Sequence, residues 1–242
     1  MALVMAASRG IGRGIAAALA REGARVAISS RSRERLEEAA SEIGGEVAAF
    51  EADTADLEQL RELPGEIKRT LGPIEILVAN TGGPPPGGAL DHGVEDWEAA
   101  YRSLVLAPRT LIGEVVAGMR ERGWGRIVNV GSSSTREPIA GLNLSNAHRM
   151  AAVGFFKTLA TELAGNGVTV NTVATGRFAT ERLADNYGSL EAAEQAAARD
   201  VPAGRLGTPE EYGDLVAFLC SERAAYVTGT VIPIDGGMAR SV

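Results

Sequence analysis

A glycine-rich run near the start of the chain could bind a phosphate group. The run reads Ala7-Ser8-Arg9-Gly10-Ile11-Gly12-Arg13-Gly14, between a short apolar stretch and a helical pattern. Glycines let the backbone approach a diphosphate, and the free N–H groups and dipole of a helix N-terminus favour anions. The pattern predicts nucleotide binding, with a plain strand-to-helix turn as the alternative. The predicted contacts are Ser8, Arg9, Gly10, Ile11 and Gly12.

Two arginines indicate which nucleotide would bind. The second predicted strand ends in Ser30-Arg31, and no acidic residue follows before Glu34. A carboxylate at this place would bind the ribose hydroxyls of NAD, whereas an arginine suits the 2′-phosphate of NADP. Arg9 and Arg31 therefore favour NADP over NAD. Solvated surface arginines remain the alternative.

The elements that must position these residues alternate along the whole chain. Short runs rich in Val and Ile, apolar on both faces, predict buried parallel strands. The predicted strands are Ala2–Ala6, Arg25–Ser30, Val47–Ala52, Ile74–Asn80, Arg126–Gly131, Val168–Ala174 and Thr230–Ile234. The predicted helices span 11–22, 32–43, 56–70, 95–121, 146–164 and 208–221, with an extra one near 189–199.

This alternation predicts an α/β fold of the Rossmann type. We expect a doubly wound, seven-stranded parallel sheet with helices on both faces, formed by one domain over residues 1–242. The Gly/Pro run 82–88 follows the fourth strand at the ligand-binding edge and could roof a pocket or serve as a stiff connector. The helix at 146–164 is apolar beyond a single stripe, which predicts a subunit interface and a homotetramer or homodimer.

Composition excludes several classes of partner. The net charge of −7 disfavours nucleic acid and anionic membranes, and no apolar run approaches the ~20 residues needed to span a bilayer. The apolar start reaches a glycine-rich turn by residue 10, so we predict no signal peptide and a cytoplasmic protein. The single cysteine, Cys220, is expected to be a buried small side chain. No group of His, Cys and carboxylates has metal-ligand spacing, so no metal site is predicted.

Motifs along the chain carry a family resemblance. They are Met5-Ala6-Ala7-Ser8-Arg9-Gly10-Ile11-Gly12, Ala79-Asn80-Thr81-Gly82, Thr175-Gly176, Tyr226-Val227-Thr228-Gly229 and Asp235-Gly236-Gly237. From residue 2 to about 238 the chain resembles the short-chain dehydrogenase/reductase family, and within it the 3-oxoacyl-acyl-carrier-protein reductases. Ala6 and Thr175 stand where the family has a glycine and a proline. The further cofactor contacts that the resemblance implies are Asp53, Thr54, Asn80, Gly82 and Gly176.

The resemblance implies four functional positions, which the family fills with Asn, Ser, Tyr and Lys. They fall on Leu104, Ser132, Ser145 and Arg149; Ser145 lies thirteen residues after Ser132 and four before Arg149. In the family the tyrosine protonates the carbonyl oxygen, and the lysine holds the cofactor ribose and lowers the pKa of the tyrosine. The serine donates a hydrogen bond to that oxygen, and the asparagine supports a water chain.

The replacements change this chemistry. A serine hydroxyl has a pKa far above that of tyrosine, about 10, and is therefore a poor acid near neutral pH. Arginine stays cationic and can hold ribose hydroxyls or an anion, but it does not replace lysine directly. His148, three residues after Ser145, could share its helix face and donate a proton, although a packing or surface histidine is the alternative.

The sequence thus predicts an NAD(P)-dependent oxidoreductase that transfers hydride to a carbonyl with a non-standard proton donor. Ser132 would polarise the carbonyl, Ser145 would occupy the tyrosine position, and Arg149 would hold the ribose or the substrate. The substrate would be a small molecule or an acyl-carrier-linked carbonyl compound. The alternative is a catalytically inactive nucleotide- or ligand-binding homologue that acts as a sensor or assembly partner.

Overall fold

A seven-stranded parallel sheet forms the centre of the molecule in a computed structural model that describes residues 1–241. The strands are β1 (Ala2–Met5), β2 (Val26–Ser30), β3 (Val47–Glu51), β4 (Ile76–Ala79), β5 (Gly125–Val130), β6 (Val168–Thr175) and β7 (Val231–Ile234). Their spatial order is β3-β2-β1-β4-β5-β6-β7, and each neighbouring pair is parallel. The predicted sheet is confirmed, and each predicted strand agrees with an observed one to within about two residues.

Helices cover both faces of this sheet. They are α1 (Gly10–Arg21), α2 (Arg33–Ile43), α3 (Leu57–Leu71), α4 (Val94–Tyr101), α5 (Ala107–Arg122), α6 (Asn143–Leu163), α7 (Glu181–Tyr187), α8 (Leu190–Asp200) and α9 (Pro209–Leu219). Within β1, Leu3 and Met5 belong to the core on one face, and Ala2 and Val4 to the core on the other. Because every β1 side chain is buried, the strand is apolar throughout, as a two-sided parallel sheet requires.

Local sequence signals explain where several helices begin. Ser32 caps α2 and the Asp56 carboxylate caps α3 by accepting backbone N–H groups of the first turn. At α9, Thr208 and Glu211 form a reciprocal capping box. These caps satisfy backbone donors that have no partner inside the helix.

Two helical segments differ from the predicted ones. The predicted helix 95–121 is divided by a π-helical turn, Arg102–Leu106, that joins α4 to α5. Leu104, the position of the family's asparagine, is buried inside that turn. π-Helical turns within α-helices are often found at functional sites. The short helix α7 was not predicted, although Thr180 accepts the N–H of Leu183 and is an ordinary N-cap signal.

The predicted interface helix, α6, buries one face within the chain. Its buried residues recur at helical spacing, while Met150 is half exposed on another side. A second face of α6 is not buried within the chain. That another copy of the chain covers it therefore stays a prediction. No helix within residues 1–241 is long and apolar enough to cross a membrane.

Candidate active site

A cleft of about 540 Å³ opens at the carboxyl edge of the sheet, where open α/β sheets bind ligands. The predicted site residues that line it are Arg9, Gly10, Ile11, Gly12, Asn80, Gly82, Ser132, Ser145, Arg149 and Gly176. Four other predicted residues, Ser8, Arg31, Asp53 and Thr54, are not part of this lining. Arg31 directly follows β2 and Asp53 lies two residues after the end of β3, so they lie towards the far end of the same sheet edge.

The glycine-rich turn is packed so closely that position 12 has no room for a side chain. A Cβ atom at position 12 would lie 2.4 Å from the carbonyl oxygen of Ala6 and 2.7 Å from the amide nitrogen of Asn80. The Asn80 side chain donates hydrogen bonds to the carbonyls of Met5 and Ala6, each at 3.1 Å. Asn80 therefore braces the turn while it lines the cleft. A glycine cradle at a helix N-terminus fits the diphosphate of a dinucleotide.

Ala6 keeps the backbone geometry of the glycine it replaces. Its φ of +47° is the one positive value among the non-glycine residues from 1 to 241. An alanine pays about 1–2 kcal/mol in this left-handed region because its Cβ crowds the following carbonyl. Ala6 therefore holds this left-handed conformation at a local cost in stability.

We expect Ala6→Gly to stabilise the protein by about 0.5–1 kcal/mol, since relief of backbone strain exceeds the added freedom of the unfolded chain. For a domain of this size, that corresponds to a rise in Tm of roughly 2–4 °C per kcal/mol, measured by calorimetry. Ala7→Gly is the matched control. Ala7 is buried and has no positive φ, so its substitution should lower the Tm. An equal fall in both variants would contradict the strain at Ala6.

Two serine hydroxyls lie together in the cleft. Ser132 follows β5 and its Oγ accepts the N–H of Ser134 at 3.1 Å, which caps a short 3₁₀ turn, Ser133–Thr135. Since the oxygen already accepts a hydrogen bond, the Ser132 proton is available for donation to a ligand. Ser145, near the start of α6, is almost fully buried and lines the same cleft.

Arg149 lies one helical turn beyond Ser145. Its guanidinium donates to the carbonyl of Val130 at 2.7 Å, which anchors it at the end of β5 beside Ser132. Burial lowers the pKa of Arg149 to about 10, opposed by the nearby Tyr212 and assisted by the positive charge of Arg182. At neutral pH the side chain is therefore cationic. One of its five N–H donors is used by Val130 in this arrangement.

His148 does not face this cleft. Its Nδ1 lies 2.8 Å from the Leu144 carbonyl, and its ring packs against Trp97 with centroids 5.1 Å apart and against Tyr101. The lining of the cleft includes Ser145 and Arg149 but not His148. The hypothesis of a His148 proton donor is therefore wrong, because three residues of helical rotation turn the imidazole towards α4.

The short helix α7 covers the glycine-rich turn. Glu181 forms an ion pair with Arg9, and Arg182 donates to the carbonyl of Pro84 at 3.0 Å. Thr180 packs on Gly10, where an added Cβ would lie 3.3 Å from the threonine methyl. Thr180 and Glu181 were not among the predicted site residues, although a threonine followed by a glutamate is an ordinary signal for the start of a helix. The Gly/Pro run contributes Gly82, Gly83 and Pro84 to the lining, as the roof hypothesis predicted.

Behind Arg149, two hydroxyl groups form a buried contact. The Tyr212 hydroxyl lies 2.9 Å from Oγ1 of Thr175, the residue that stands in place of the family's proline. Tyr212 is fully buried, and burial raises the pKa of its phenol well above the usual range. It is therefore a structural partner of Thr175 and not an acid for the cleft. The sequence offered no signal for this pairing of residues 37 apart.

Comparison with known proteins places this geometry in a family. The model of a family described as "Enoyl-(Acyl carrier protein) reductase" matches residues 5–239. The 3-oxoacyl-[acyl-carrier-protein] reductase of Vibrio cholerae is 35% identical over 238 residues, which cover 98% of this chain and 96% of that protein. The chain belongs to the short-chain dehydrogenase/reductase family.

Solved structures of short-chain reductases share the fold. One is YwfH, described as an NADPH-dependent reductase involved in bacilysin biosynthesis, with a TM-score of 0.93, 30% identity, and coverage of 100% of this chain and 98% of that chain. Another is the L-sorbose reductase of Gluconobacter frateurii, described in complex with NADPH and L-sorbose. It has a TM-score of 0.92 and 31% identity, and the match covers 100% of this chain and 97% of that chain.

These findings confirm the predicted class of protein. The chain is a nicotinamide-dependent oxidoreductase of the short-chain type, similar to 3-oxoacyl-acyl-carrier-protein reductases. The comparisons give no support to the alternative of an inactive sensor or assembly partner. The resemblance places Leu104, Ser145 and Arg149 where the family has Asn, Tyr and Lys, so we expect a mechanism built on this chain's own residues.

Proposed function

We propose that the protein reduces the carbonyl group of a substrate with NADPH as the hydride donor. The observation that carries this proposal is one continuous cleft that joins the Gly10–Gly12 cradle to Ser132, Ser145 and Arg149. When bound, the reduced nicotinamide supplies a hydride to the carbonyl carbon. The predicted homotetramer or homodimer and the cytoplasmic location belong to this proposal, as does a small-molecule or acyl-carrier-linked substrate.

In the proposed reaction, Ser132 and Arg149 stabilise the carbonyl oxygen. The Ser132 hydroxyl donates a hydrogen bond to that oxygen, and the Arg149 cation favours the negative charge that develops on it. The Ser145 hydroxyl can donate a second hydrogen bond, but its pKa is too high for it to give up its proton. Since neither serine is an acid near neutral pH, the proton must come from elsewhere. As the carbonyl carbon is reduced, the π electrons of the C=O bond move to the carbonyl oxygen, which then takes a proton from solvent.

The proposed preference for NADP rests on arginines at the adenosine end. Arg31 follows β2 with no acid beside it in the sequence, and Arg9, which is paired with Glu181, lines the cleft at the glycine-rich turn. The similarity to reductases described with NADPH also supports this choice. Asp53 accepts the N–H of Ala55 at 2.9 Å and so fixes the turn after β3, where we propose that it and Thr54 contact the adenine.

We expect NADPH to bind at least tenfold more tightly than NADH, and Arg31→Ser to remove most of that difference by loss of a charge-assisted phosphate contact. Titration of nicotinamide fluorescence with each cofactor measures this. Arg25→Ser is the control, because Arg25 precedes β2 and lies at the opposite edge of the sheet. Equal affinities for NADPH and NADH in the unmodified protein would contradict the NADP assignment, and no binding of either at millimolar concentration would overturn the proposed function.

A further inference from the structure

Arg149 is a cation in a protein-lined cleft with no carboxylate as partner. Among the ion pairs within residues 1–241 none includes Arg149, and its hydrogen bond goes to the neutral carbonyl of Val130. Removal of a charge from water is costly unless a partner of opposite sign is close. A bound anion is the natural complement of such a group, and arginine suits carboxylates because its fork can donate two parallel hydrogen bonds.

The acidic side chains that line the cleft are already occupied. Of the described residues, two glutamates line it: Glu181 pairs with Arg9, and Glu137 accepts the backbone N–H groups of Arg240 and Ser241 at 2.7 and 2.6 Å. The lining arginines are Arg9, Arg149, Arg177 and Arg182. The cleft therefore carries an excess of positive charge in a chain whose net charge is −7.

The remaining lining arginines differ from Arg149 in their partners. Arg177 forms an ion pair with Asp200 at 2.8 Å, so its charge is compensated. Arg182 donates to the Pro84 carbonyl; burial lowers its pKa, Asp185 opposes this and Arg9 adds to it. Arg182 is exposed on α7, whereas Arg149 is partly buried on α6.

The cofactor phosphates are not the complement of Arg149. The diphosphate cradle lies at the end of β1, and Arg149 is anchored at the end of β5, with β4 between them. Two strand spacings separate these ends by roughly 10 Å. Arg149 is thus at the reacting end of the cleft, next to the two serines.

We propose that Arg149 binds the carboxylate of the substrate, and that the substrate is a free oxo acid and not a neutral thioester. This inference rests on the proposed function, because a carboxylate bound to Arg149 places the neighbouring carbonyl oxygen between that cation and the Ser132 and Ser145 hydroxyls. Hydride from NADPH would add to the carbonyl carbon as the π pair of the C=O bond moves to oxygen, and that oxygen would take one H⁺ from the bulk solvent, which gives the alcohol and NADP⁺. The carboxylate itself is unchanged.

The test uses oxamate, a non-reducible analogue of a 2-oxo acid, and its neutral counterpart oxamide. With the full chain saturated in NADPH, calorimetric titration should show oxamate binding and at least tenfold weaker binding of oxamide. Arg149→Gln should weaken oxamate binding at least tenfold, and Arg149→Lys should restore part of it through charge alone. Arg21→Gln is the matched control, because the charge it removes is already paired with Asp214 and Arg21 does not line the cleft.

Four outcomes would overturn this inference: no oxamate binding, equal binding of oxamate and oxamide, undiminished oxamate binding by Arg149→Gln, or weaker NADPH binding as the sole effect of that substitution. The last would make Arg149 a ligand of the cofactor ribose. Turnover of an oxo acid such as 2-oxobutyrate at no better kcat/KM than its methyl ester would likewise exclude the carboxylate contact. Each of these results is distinct from failure of the proposed function, which is a failure to bind NADPH at all.

Discussion

Gly12→Ala is expected to weaken NADPH binding about tenfold or more, since a hydrogen bond to a charged group contributes roughly 1.5–3 kcal/mol and about 1.4 kcal/mol is a factor of ten in affinity. The new Cβ would lie 2.4 Å from the Ala6 carbonyl oxygen and 2.8 Å from the Ala7 Cα, and neither backbone atom can move freely. The turn must open, which misdirects the N–H groups that would receive the diphosphate. Titration of nicotinamide fluorescence measures the loss.

The control for this substitution is Gly65→Ala on α3. A Cβ at Gly65 would meet nothing closer than the end of the Arg69 side chain at 3.9 Å, so NADPH binding should be unchanged. Circular dichroism and Tm separate a local effect from unfolding. If Gly12→Ala stays folded and binds NADPH with unchanged affinity, the glycine-rich turn is not the cofactor cradle.

Ser132→Ala is expected to lower kcat for NADPH-dependent reduction by about 10²–10³, the usual consequence of removing one donor to a developing oxyanion. Ser132→Thr keeps both the hydroxyl and the cap on Ser134, so it should retain much of the activity. The kcat of each variant is measured from the steady-state oxidation of NADPH, followed by absorbance, with 2-oxobutyrate or methyl 2-oxobutyrate as the substrate. A loss in Ser132→Ala without a change in NADPH affinity would place the effect on the chemical step.

Ser134→Ala distinguishes the role of Ser132 from general damage to the loop. The Ser134 hydroxyl is buried without a hydrogen-bond partner within residues 1–241, and Ser134 is absent from the cleft lining. Its removal should leave kcat unchanged and cost little stability. Equal losses in Ser134→Ala and Ser132→Ala would show that the 3₁₀ turn, and not the Ser132 proton, controls the rate.

The changes at the reacting end are mutually consistent in the structure. The tyrosine position holds the short Ser145, the lysine position holds the longer Arg149, and Leu104 occupies the asparagine position inside the π-helical turn. In place of the tyrosine acid and the lysine that activates it, the cleft thus has the Ser145 hydroxyl and the Arg149 cation, while the serine at position 132 is kept. This favours binding and polarisation of an anionic carbonyl compound over direct protonation by the protein.

A family resemblance indicated Ser132, Ser145 and Arg149 as site residues, and all three line one cleft. The amino-acid sequence by itself was sufficient to predict the α/β fold and the position of the glycine-rich turn. These features depend on periodicity and on short motifs, which act over a few residues. The strand ends and the phosphate turn were predictable for the same reason. The short helix α7 was not predicted because its 7 residues are too few to show a clear helical periodicity.

The tertiary structure decided which of the predicted groups face one another. His148 turns away from the cleft although it lies on the same helix as Ser145, and Ala6 retains a left-handed backbone without a glycine. The neutralisation of Arg9 by Glu181, which lies 172 residues later, depends on how α7 packs over the first turn. Charge pairing between distant segments depends on packing. It neutralises Arg9 but not Arg149, which we propose pairs with the carboxylate of the substrate.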